Sequence, residues 1–161
     1  ERVFLSSGSK VIGRVTLGDG VGVWFNSVLR GDVAEIKVGK GTNIQDLSVL
    51  HITDGINLNI GNFVTVGHNV ILHSCNISDN CLIGMGSTVM DNVVIGKECV
   101  VAAGSLVPPN KTFGERKLIR GNPAREVRDL TALEVEGLHQ SAQHYIDRKN
   151  EYLDPALLKS I

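Results

Sequence analysis

The residues of this chain best suited to metal chemistry are three closely spaced histidines. His51, His68 and His73 account for three of the five histidines in the 161-residue sequence. Three neutral imidazoles around a metal ion that keeps a fourth position open form a common catalytic zinc site. A lone histidine is more often a surface or hydrogen-bonded residue. The metal hypothesis therefore depends on whether the fold brings these side chains together.

The elements that must position the histidines are predicted by a six-residue repeat. An aliphatic residue recurs at this interval through most of the chain, and glycine follows several of these positions. A period of six fits neither an α-helix nor an alternating strand, but it is typical of a solenoid whose units are a short strand and a turn. The repeat positions are Leu17, Val23, Leu29, Val38, Ile44, Leu50, Ile60, Val66, Leu72, Ile77, Ile83, Val89, Ile95, Val101 and Val107.

Three repeats form one triangular coil, so the sequence predicts an all-β solenoid, a parallel β-helix of about five coils with a C-terminal α-helix. The repeat is expected to stop at Pro108 and Pro109. Faces 1, 2 and 3 are named here for the first, second and third repeat position of each coil, whose side chains point inward. The coils are expected to begin at Leu17, Val38, Ile60, Ile77 and Ile95.

The composition agrees with a narrow aliphatic prism and excludes several functional classes. Hydrophobic residues make up 42% of the chain but aromatic residues only 4%, with 18 glycines. The net charge of −1 offers no basic field for nucleic acid, and no apolar run is long enough to span a membrane. The first residues, ERVFLSSGSK, lack the apolar stretch of a signal peptide, and the three cysteines show no CxxC spacing. We expect a cytoplasmic protein.

The repeat frame places two histidines in the same slot of neighbouring coils. His51 follows the face 3 residue Leu50, and His73 follows Leu72 one coil later. Their Cα atoms are predicted to lie about 5 Å apart. Because the side chain next to an inward residue points outward, the two imidazoles can converge on one ion. Arg30 fills this slot one coil earlier.

The third histidine is expected to reach this site only from another subunit. His68 lies two residues after Val66 on face 2, where Asp46 occupies the same slot one coil earlier. A face 2 residue is not expected to reach the face 3 pair around a corner of its own prism. If three prisms pack around a threefold axis, face 2 of one can lie against face 3 of its neighbour. His68 would then complete the metal site in trans.

The C-terminal part is predicted to be helical. The expected division is residues 1–129 for the β-helix with a connecting loop and residues 130–161 for a C-terminal helix that packs on the prism. Thr131 before Glu134 indicates a capping box at the start of this helix. The predicted apolar stripe consists of Leu130, Leu133, Leu138, Ala142, Tyr145 and Ile146.

The motifs of this sequence resemble those of the gamma-class carbonic anhydrases and their close homologues, a branch of the left-handed β-helix hexapeptide-repeat proteins. The likeness runs from about Ile12 to Tyr152. The left-handed coil is an expectation from this resemblance alone. The motifs are LRGD (29–32), NIQD (43–46), SVLH (48–51), VGHNVILHSC (66–75), LIGMGS (82–87) and GNPA (121–124).

The resemblance implies a homotrimer that binds Zn²⁺, or Fe²⁺ or Co²⁺, between subunits. His51 and His73 match the two ligands from one subunit, and His68 matches the ligand from its neighbour. The remaining matches are a pair that joins subunits near the site, two polar residues that position the metal-bound water or its neighbours, and a tyrosine that reaches the site from the helix in some relatives. These matching residues are Arg30 and Asp32, Gln45 and Asp46, and Tyr145.

The activity that the resemblance implies is reversible hydration of CO2 to bicarbonate by a metal-bound hydroxide. The sequence departs from the best-characterised members at two places. Val33 follows Asp32 where those members carry a glutamate that assists catalysis. The segment 52–59 is short, and Asp54 is its only acidic residue, whereas those members carry an acidic insertion with their proton shuttle. We therefore expect slow turnover.

Two other functional classes stay open at this stage. A hexapeptide-repeat acyltransferase that uses acetyl-CoA would share the fold and the GNPA motif, but such enzymes commonly use one histidine as a base. A non-enzymatic metal-binding or scaffold homologue is compatible with Val33 and the short loop. The three histidines and the polar LRGD and NIQD motifs favour the metal-dependent hydration of CO2.

Overall fold

The computed structural model describes residues 2–154, and nearly all of its strands are short. The first nine are β1 (Phe4–Leu5), β2 (Lys10–Leu17), β3 (Gly22–Val23), β4 (Val28–Val38), β5 (Asn43–Ile44), β6 (Val49–His51), β7 (Leu58–Ile60), β8 (Thr65–Val66) and β9 (Ile71–His73). The others are β10 (Asn76–Ile77), β11 (Leu82–Ile83), β12 (Thr88–Val89), β13 (Val94–Ile95), β14 (Val100–Val101), β15 (Leu106–Val107), β16 (Thr112–Phe113), β17 (Lys117–Gly121) and β18 (Ala124–Asp129). A single helix, α1 (Ala132–Leu153), follows.

The strands form the three faces of a left-handed parallel β-helix, which confirms the predicted fold class. Face 2 is one sheet in the order β1-β3-β5-β8-β11-β14-β17, with β18 added antiparallel to β17. Faces 1 and 3 belong to a second sheet, because β2 and β4 pair with each other and run continuously around the corner between them. The coils are in register, so that Ile44, Val66 and Ile83 stack directly above one another.

The stacked aliphatic residues form the core of the prism, as the repeat predicted. Leu29, Leu50 and Leu72 of face 3 are completely buried, and so are their counterparts on face 2. Each coil adds three such side chains to the column, and the apolar area that they bury is the main stabilising contribution.

The structure contains about six coils, one more than the sequence predicted, and the expected end of the repeat at Pro108 and Pro109 is wrong. Phe113 and Ile119 continue the six-residue interval after Val107, and both are buried. The two prolines lie at the corner after β15, where missing N–H donors do not interrupt the ladder. Coil stacking continues through this corner, because the Asn110 N–H donates to the carbonyl oxygen of Asp91.

Close contact between coils explains the glycines at the repeat corners. A Cβ atom on Gly84 would lie 2.5 Å from the backbone nitrogen of Ala103 in the next coil. At several other corners a residue with a side chain adopts the left-handed backbone region, a conformation that asparagine tolerates best after glycine. Such asparagines, with φ between 55° and 61°, are Asn26, Asn69, Asn80, Asn92 and Asn110.

The predicted helix is present with its capping box, but its buried side differs from the prediction. Leu133 is 82% exposed rather than part of the apolar stripe. Leu138 and Ala142 are buried as predicted, and Lys149 is buried with its Nζ donating to the carbonyl oxygen of Arg2 at 3.2 Å. The end of the expected helical region, residues 155–161, lies outside the described residues.

Five of the aromatic rings lie together where α1 meets the first coils. Trp24 is at the centre, with ring centroids 5.2 Å from Phe4, 5.5 Å from Tyr145 and 5.3 Å from Tyr152. Phe25 completes the group, 6.3 Å from Trp24. Most of the scarce aromatic residues therefore attach the helix to the prism. No described helix is long and apolar enough to cross a membrane.

Candidate metal centre

Two of the three predicted metal ligands meet on the outer side of face 3. Strands β6 and β9 pair in parallel with His51 directly opposite His73, as the repeat spacing predicts. His51 Nδ1 lies 3.2 Å from His73 Nε2. The side chains are 23% and 31% exposed, so both rings lie at the surface of the prism.

A carboxylate contacts the other nitrogen of each ring. Asp32 Oδ1 lies 3.2 Å from His51 Nε2, and Asp91 Oδ1 lies 3.0 Å from His73 Nδ1. Burial raises the pKa of both carboxyl groups, but hydrogen bonds outweigh it and hold each pKa below its ordinary value. The lowering hydrogen bonds come from Arg30 and His51 at Asp32, and from Thr53 and His73 at Asp91. Both carboxylates therefore stay charged and accept a proton-bearing nitrogen.

This donor set fits a metal ion. Two nitrogen ligands at about 2.0–2.1 Å from a tetrahedral metal lie about 3.3 Å apart, close to the 3.2 Å between His51 Nδ1 and His73 Nε2. If each carboxylate accepts the N–H of its ring, both facing nitrogens carry lone pairs that point at each other. A cation between them removes this repulsion. Histidine ligands in metal sites almost always donate their other N–H to such an acceptor, whether a carboxylate, a backbone carbonyl or water.

The third predicted ligand lies on another face. His68 Nδ1 is 2.7 Å from Asp46 Oδ2, which confirms that these residues share a slot on face 2. Among residues 2–154 there is no group of three or more His, Cys, Asp or Glu side chains placed to hold a metal ion. One chain therefore brings together His51 and His73 but leaves His68 separate, with 44% of its side chain exposed.

Arg30 and Asp32, predicted as a pair near the site, form an ion pair within one chain. Both belong to β4, two residues apart, and both side chains are partly exposed. Because Asp32 also contacts His51, the guanidinium is linked through this carboxylate to the histidine pair. Asp32 therefore contacts a candidate ligand of its own subunit, whereas Arg30 is linked to that ligand only through Asp32.

Gln45 and Tyr145 line the same groove as His68, which has a volume of about 360 Å³ and lies between face 2 and α1. Gln45 is almost completely buried, and its Nε2 donates to Asn43 Oδ1 at 3.1 Å. Burial raises the pKa of Tyr145, and the charge of Asp46 raises it further. Apart from Thr65 and Ser141, most of the other lining residues are apolar, among them Leu82, Met85, Val100 and Ala103.

Sequence reasoning missed Asp91 and Thr53. Asp91 lies two residues after the inward Val89, on the coil next to His73, and Thr53 is the second residue of the loop after β6. An acidic residue one coil away from a proposed ligand is a signal that the repeat frame could have supplied. It was not decisive, because the frame does not tell which way a corner side chain turns.

The two departures from the family pattern are both at the surface near this site. Val33 is 42% exposed directly after Asp32. Asp54 is exposed in the loop between β6 and β7. Glu35, which lies nearby in the sequence, forms an ion pair with Lys37 at 2.9 Å. Cys75 is buried, and burial raises the pKa of its thiol, so it is a poor candidate for a further ligand.

The chain matches known proteins of one family. Residues 74–109 match the family model described as bacterial transferase hexapeptide (six repeats). Protein YrdA of Escherichia coli is 46% identical over 161 aligned residues, which cover 96% of this chain and 88% of that protein. The carbonic anhydrase of Geobacillus kaustophilus is 42% identical and covers 92% of this chain and 82% of its own length.

A plant relative and a solved structure agree with these matches. The mitochondrial gamma carbonic anhydrase 2 of Arabidopsis thaliana is 43% identical over 90% of this chain, which spans 54% of that longer protein. The crystal structure of a hexapeptide transferase family protein from Anaplasma phagocytophilum superimposes with a TM-score of 0.85 at 40% identity. The match covers 93% of this chain and 92% of that one.

Proposed function

This chain belongs to the gamma-class carbonic anhydrase family of hexapeptide-repeat proteins, and from this premise we propose that it is a metal-dependent protein that hydrates CO2 reversibly to bicarbonate. The metal in this proposal is Zn²⁺, with Fe²⁺ or Co²⁺ as alternatives, since imidazole ligands suit all three. The observation that carries the proposal is the pair of facing imidazole nitrogens, 3.2 Å apart, each backed by a carboxylate.

The third ligand in this proposal is His68 of a neighbouring subunit in a homotrimer. Face 3 exposes apolar side chains beside the histidine pair, Val49 at 39% and Ile71 at 43%. Face 2 offers an apolar groove beside His68. Packing face 3 of one subunit against face 2 of the next would cover both apolar surfaces. The same packing would bring His68 towards His51 and His73.

When bound, the metal would supply positive charge that lowers the pKa of water to about 7, which would make a nucleophile available at neutral pH. The residues of the chain prepare this site. Asp32 accepts the Nε2–H of His51, so that the Nδ1 lone pair is directed at the metal position. Arg30 holds Asp32 in place through its ion pair.

Face 2 supplies the second half of the site in the proposed trimer. Asp46 accepts the Nδ1–H of His68 and so directs its Nε2 lone pair outward, towards the neighbouring subunit. Gln45 and Tyr145 offer polar groups beside His68 that can orient water or bicarbonate. No acidic residue of the 52–57 loop other than Asp54 is available to carry protons away. Slow turnover is therefore part of the proposal.

The test combines metal analysis with stopped-flow CO2 hydration. Protein purified anaerobically should contain about one metal ion per subunit and should lose both metal and hydration activity in the variant His73→Ala. His139→Ala is the matched control, because His139 is exposed on α1 away from the pair and should change neither. A folded wild-type protein that binds no metal would refute the site, and equal hydration rates in wild type and His73→Ala would refute the catalytic role.

Acyl transfer from acetyl-CoA is the second candidate, and the apolar groove between face 2 and α1 is the observation that favours it. A groove of about 360 Å³ is larger than CO2 requires. The two functions differ in their dependence on metal. Acetyl transfer that continues after chelation, without CO2 hydration, would support this candidate. Stoichiometric metal without either activity would instead indicate a non-enzymatic metal-binding or scaffold role.

A further inference from the structure

We propose that Asp91 is a positioning residue, itself held by Thr53, that fixes His73 in the one tautomer able to bind a metal ion. In this tautomer Nδ1 carries the proton and Nε2 presents its lone pair to His51. The inference rests on the proposed function, because it concerns the metal site described above. It also gives the short 52–57 loop a role, since Thr53 belongs to that loop.

The contacts of Asp91 support this role. Its Oδ1 atom lies 3.0 Å from His73 Nδ1 and accepts a hydrogen bond of 2.7 Å from Thr53 Oγ1. A carboxylate can only accept at neutral pH, so the nitrogen that faces Asp91 must be the one that carries the proton. Because a neutral imidazole has one N–H, the opposite nitrogen, Nε2, is then left with its lone pair.

Thr53 is itself fixed by the coil above it. Its backbone N–H donates to Ser74 Oγ at 2.6 Å, and that hydroxyl donates to the carbonyl oxygen of Ile56 at 3.1 Å. Ser74 is completely buried, so this anchor is protected from water. Hydrogen bonds to Ser74 therefore fix both Thr53 and Ile56, the two ends of this turn. They hold the Thr53 hydroxyl in position to donate to Asp91.

The wrong tautomer would block the metal site. With the proton on Nε2, His73 would direct an N–H at His51 Nδ1, and the two rings would form a hydrogen bond at the 3.2 Å separation. No lone pair of His73 would then face the metal position. Carboxylates that hold a ligand histidine in this way typically change metal affinity by about 10–100-fold when they are removed.

The experiment uses the full-length protein and compares three variants, with Zn²⁺ as the probe. Zn²⁺ affinity is measured by competition with a chelator. The tautomer of His73 is read from long-range ¹H–¹⁵N NMR spectra of the metal-free protein, well above the ordinary histidine pKa of about 6.5. The variants are Asp91→Ala, Asp91→Asn and Thr53→Val. Asp54→Ala is the matched control, because it removes an exposed carboxylate from the same loop.

We expect Asp91→Ala to weaken Zn²⁺ binding by about 10–100-fold and to populate the Nε2–H tautomer of His73. In Asp91→Asn the amide oxygen still accepts from Nδ1, so the tautomer should be kept while affinity falls by less. Thr53→Val should show a smaller loss in the same direction, and Asp54→Ala should match the wild type.

Two outcomes overturn the inference, whether or not the protein is an enzyme. One is an Asp91→Ala protein, folded by its thermal midpoint, that keeps the Nδ1–H tautomer and the wild-type affinity. The other is a wild-type protein whose His73 is already the Nε2–H tautomer. A wild-type protein with the Nδ1–H tautomer but no affinity for Zn²⁺ would contradict the proposed function instead, and the NMR comparison of the variants would still decide the role of Asp91.

Discussion

At the scale of single residues, the candidate site is defined by the carboxylate that contacts each histidine. His51, His68 and His73 each contact a carboxylate, Asp32, Asp46 and Asp91 respectively, at 2.7–3.2 Å. A carboxylate behind an imidazole sets which nitrogen is free, and so sets the direction from which a metal can be bound. The histidines supply the nitrogen atoms that can bind a metal ion, and the carboxylates determine which nitrogen of each ring is free to do so.

The exposed apolar residue next to Asp32 leads to a prediction at Val33. The side chain is exposed directly after Asp32, at a position where the family resemblance implies a glutamate. We expect Val33→Glu to raise the steady-state rate of CO2 hydration by about 10-fold or more, because a positioned carboxylate can accept a proton during turnover. Stopped-flow assays at low buffer concentration measure this effect most directly.

Val33→Gln is the matched control, since it has nearly the same shape as the glutamate but cannot take up a proton. It should leave the rate close to that of the wild type. An equal increase in both variants would mean that polarity or local packing, and not proton transfer, limits the reaction.

At the scale of elements, α1 is attached at its first turn by charge and near its far end by aromatic rings. Thr131 and Glu134 form a capping box, in which the Thr131 N–H donates to Glu134 Oε2 at 2.8 Å. Arg128 at the end of β18 donates two hydrogen bonds to the same carboxylate. Trp24 contacts Tyr145 and Tyr152 nearer the C-terminal end.

This attachment predicts a pH-dependent stability. The hydrogen bonds from Arg128, followed by that from the Thr131 N–H, lower the pKa of Glu134 from 4.5 to about 2. Since the pKa is lower in the folded state, the stabilisation is fully present above about pH 4.5 and is lost as the pH falls towards about 2. Urea unfolding followed by the fluorescence of Trp24, the only tryptophan, measures it.

Other carboxyl groups also titrate in this range, so the informative quantity is a difference between variants. The unfolding midpoint of Glu134→Gln should lie below that of the wild type at pH values above about 4.5, and the two should converge as the pH falls towards about 2. Glu136→Gln, an exposed change in the same turn of the helix, should follow the wild type throughout. A constant difference between wild type and Glu134→Gln would refute the capping role of this charge.

At the scale of the whole molecule, the candidate functional residues lie on the outside of the prism. The interior is filled by stacked aliphatic side chains, and the candidate ligands lie on two outer faces. A site that needs both faces requires a second copy of the chain, and a closed ring of three copies would repeat the same contact at each interface.

Mixing two inactive variants tests this arrangement. His68→Ala and His73→Ala each remove one ligand, so trimers of either variant alone should bind almost no metal. In every mixed trimer, one interface pairs an intact His51–His73 side with an intact His68 side. Co-refolding equal amounts should therefore restore roughly a quarter of the wild-type metal content. Elemental analysis after gel filtration measures it.

The control for this experiment is a mixture of His51→Ala with His73→Ala. Both changes lie on the same side of the interface, so no native site can form in any mixed trimer. Recovery in this control, or no recovery in the first mixture although trimers form, would contradict a site shared between subunits.

The six-residue interval in the sequence was enough to predict the coiled part of this protein. The six-residue interval specified which residues point inward, such as Leu50 and Leu72, and therefore which outward slots coincide, such as those of His51 and His73. These predictions succeed because each coil repeats the geometry of the one before it. A position in the repeat is then enough to give the face and the neighbour of a residue.

Features outside this regular repeat became visible only in the folded chain. It showed that Asp91 turns towards His73, that Phe113 continues the core, and that Lys149 rather than Leu133 is buried against the prism. The direction of a corner side chain depends on its rotamer and on the length of the turn. The side of α1 that packs on the prism depends on its contacts with the coils. The six-residue repeat does not encode either of these. The repeat thus predicted the ligand slots, while the carboxylates that orient two of the three histidines became visible only once the coils were stacked.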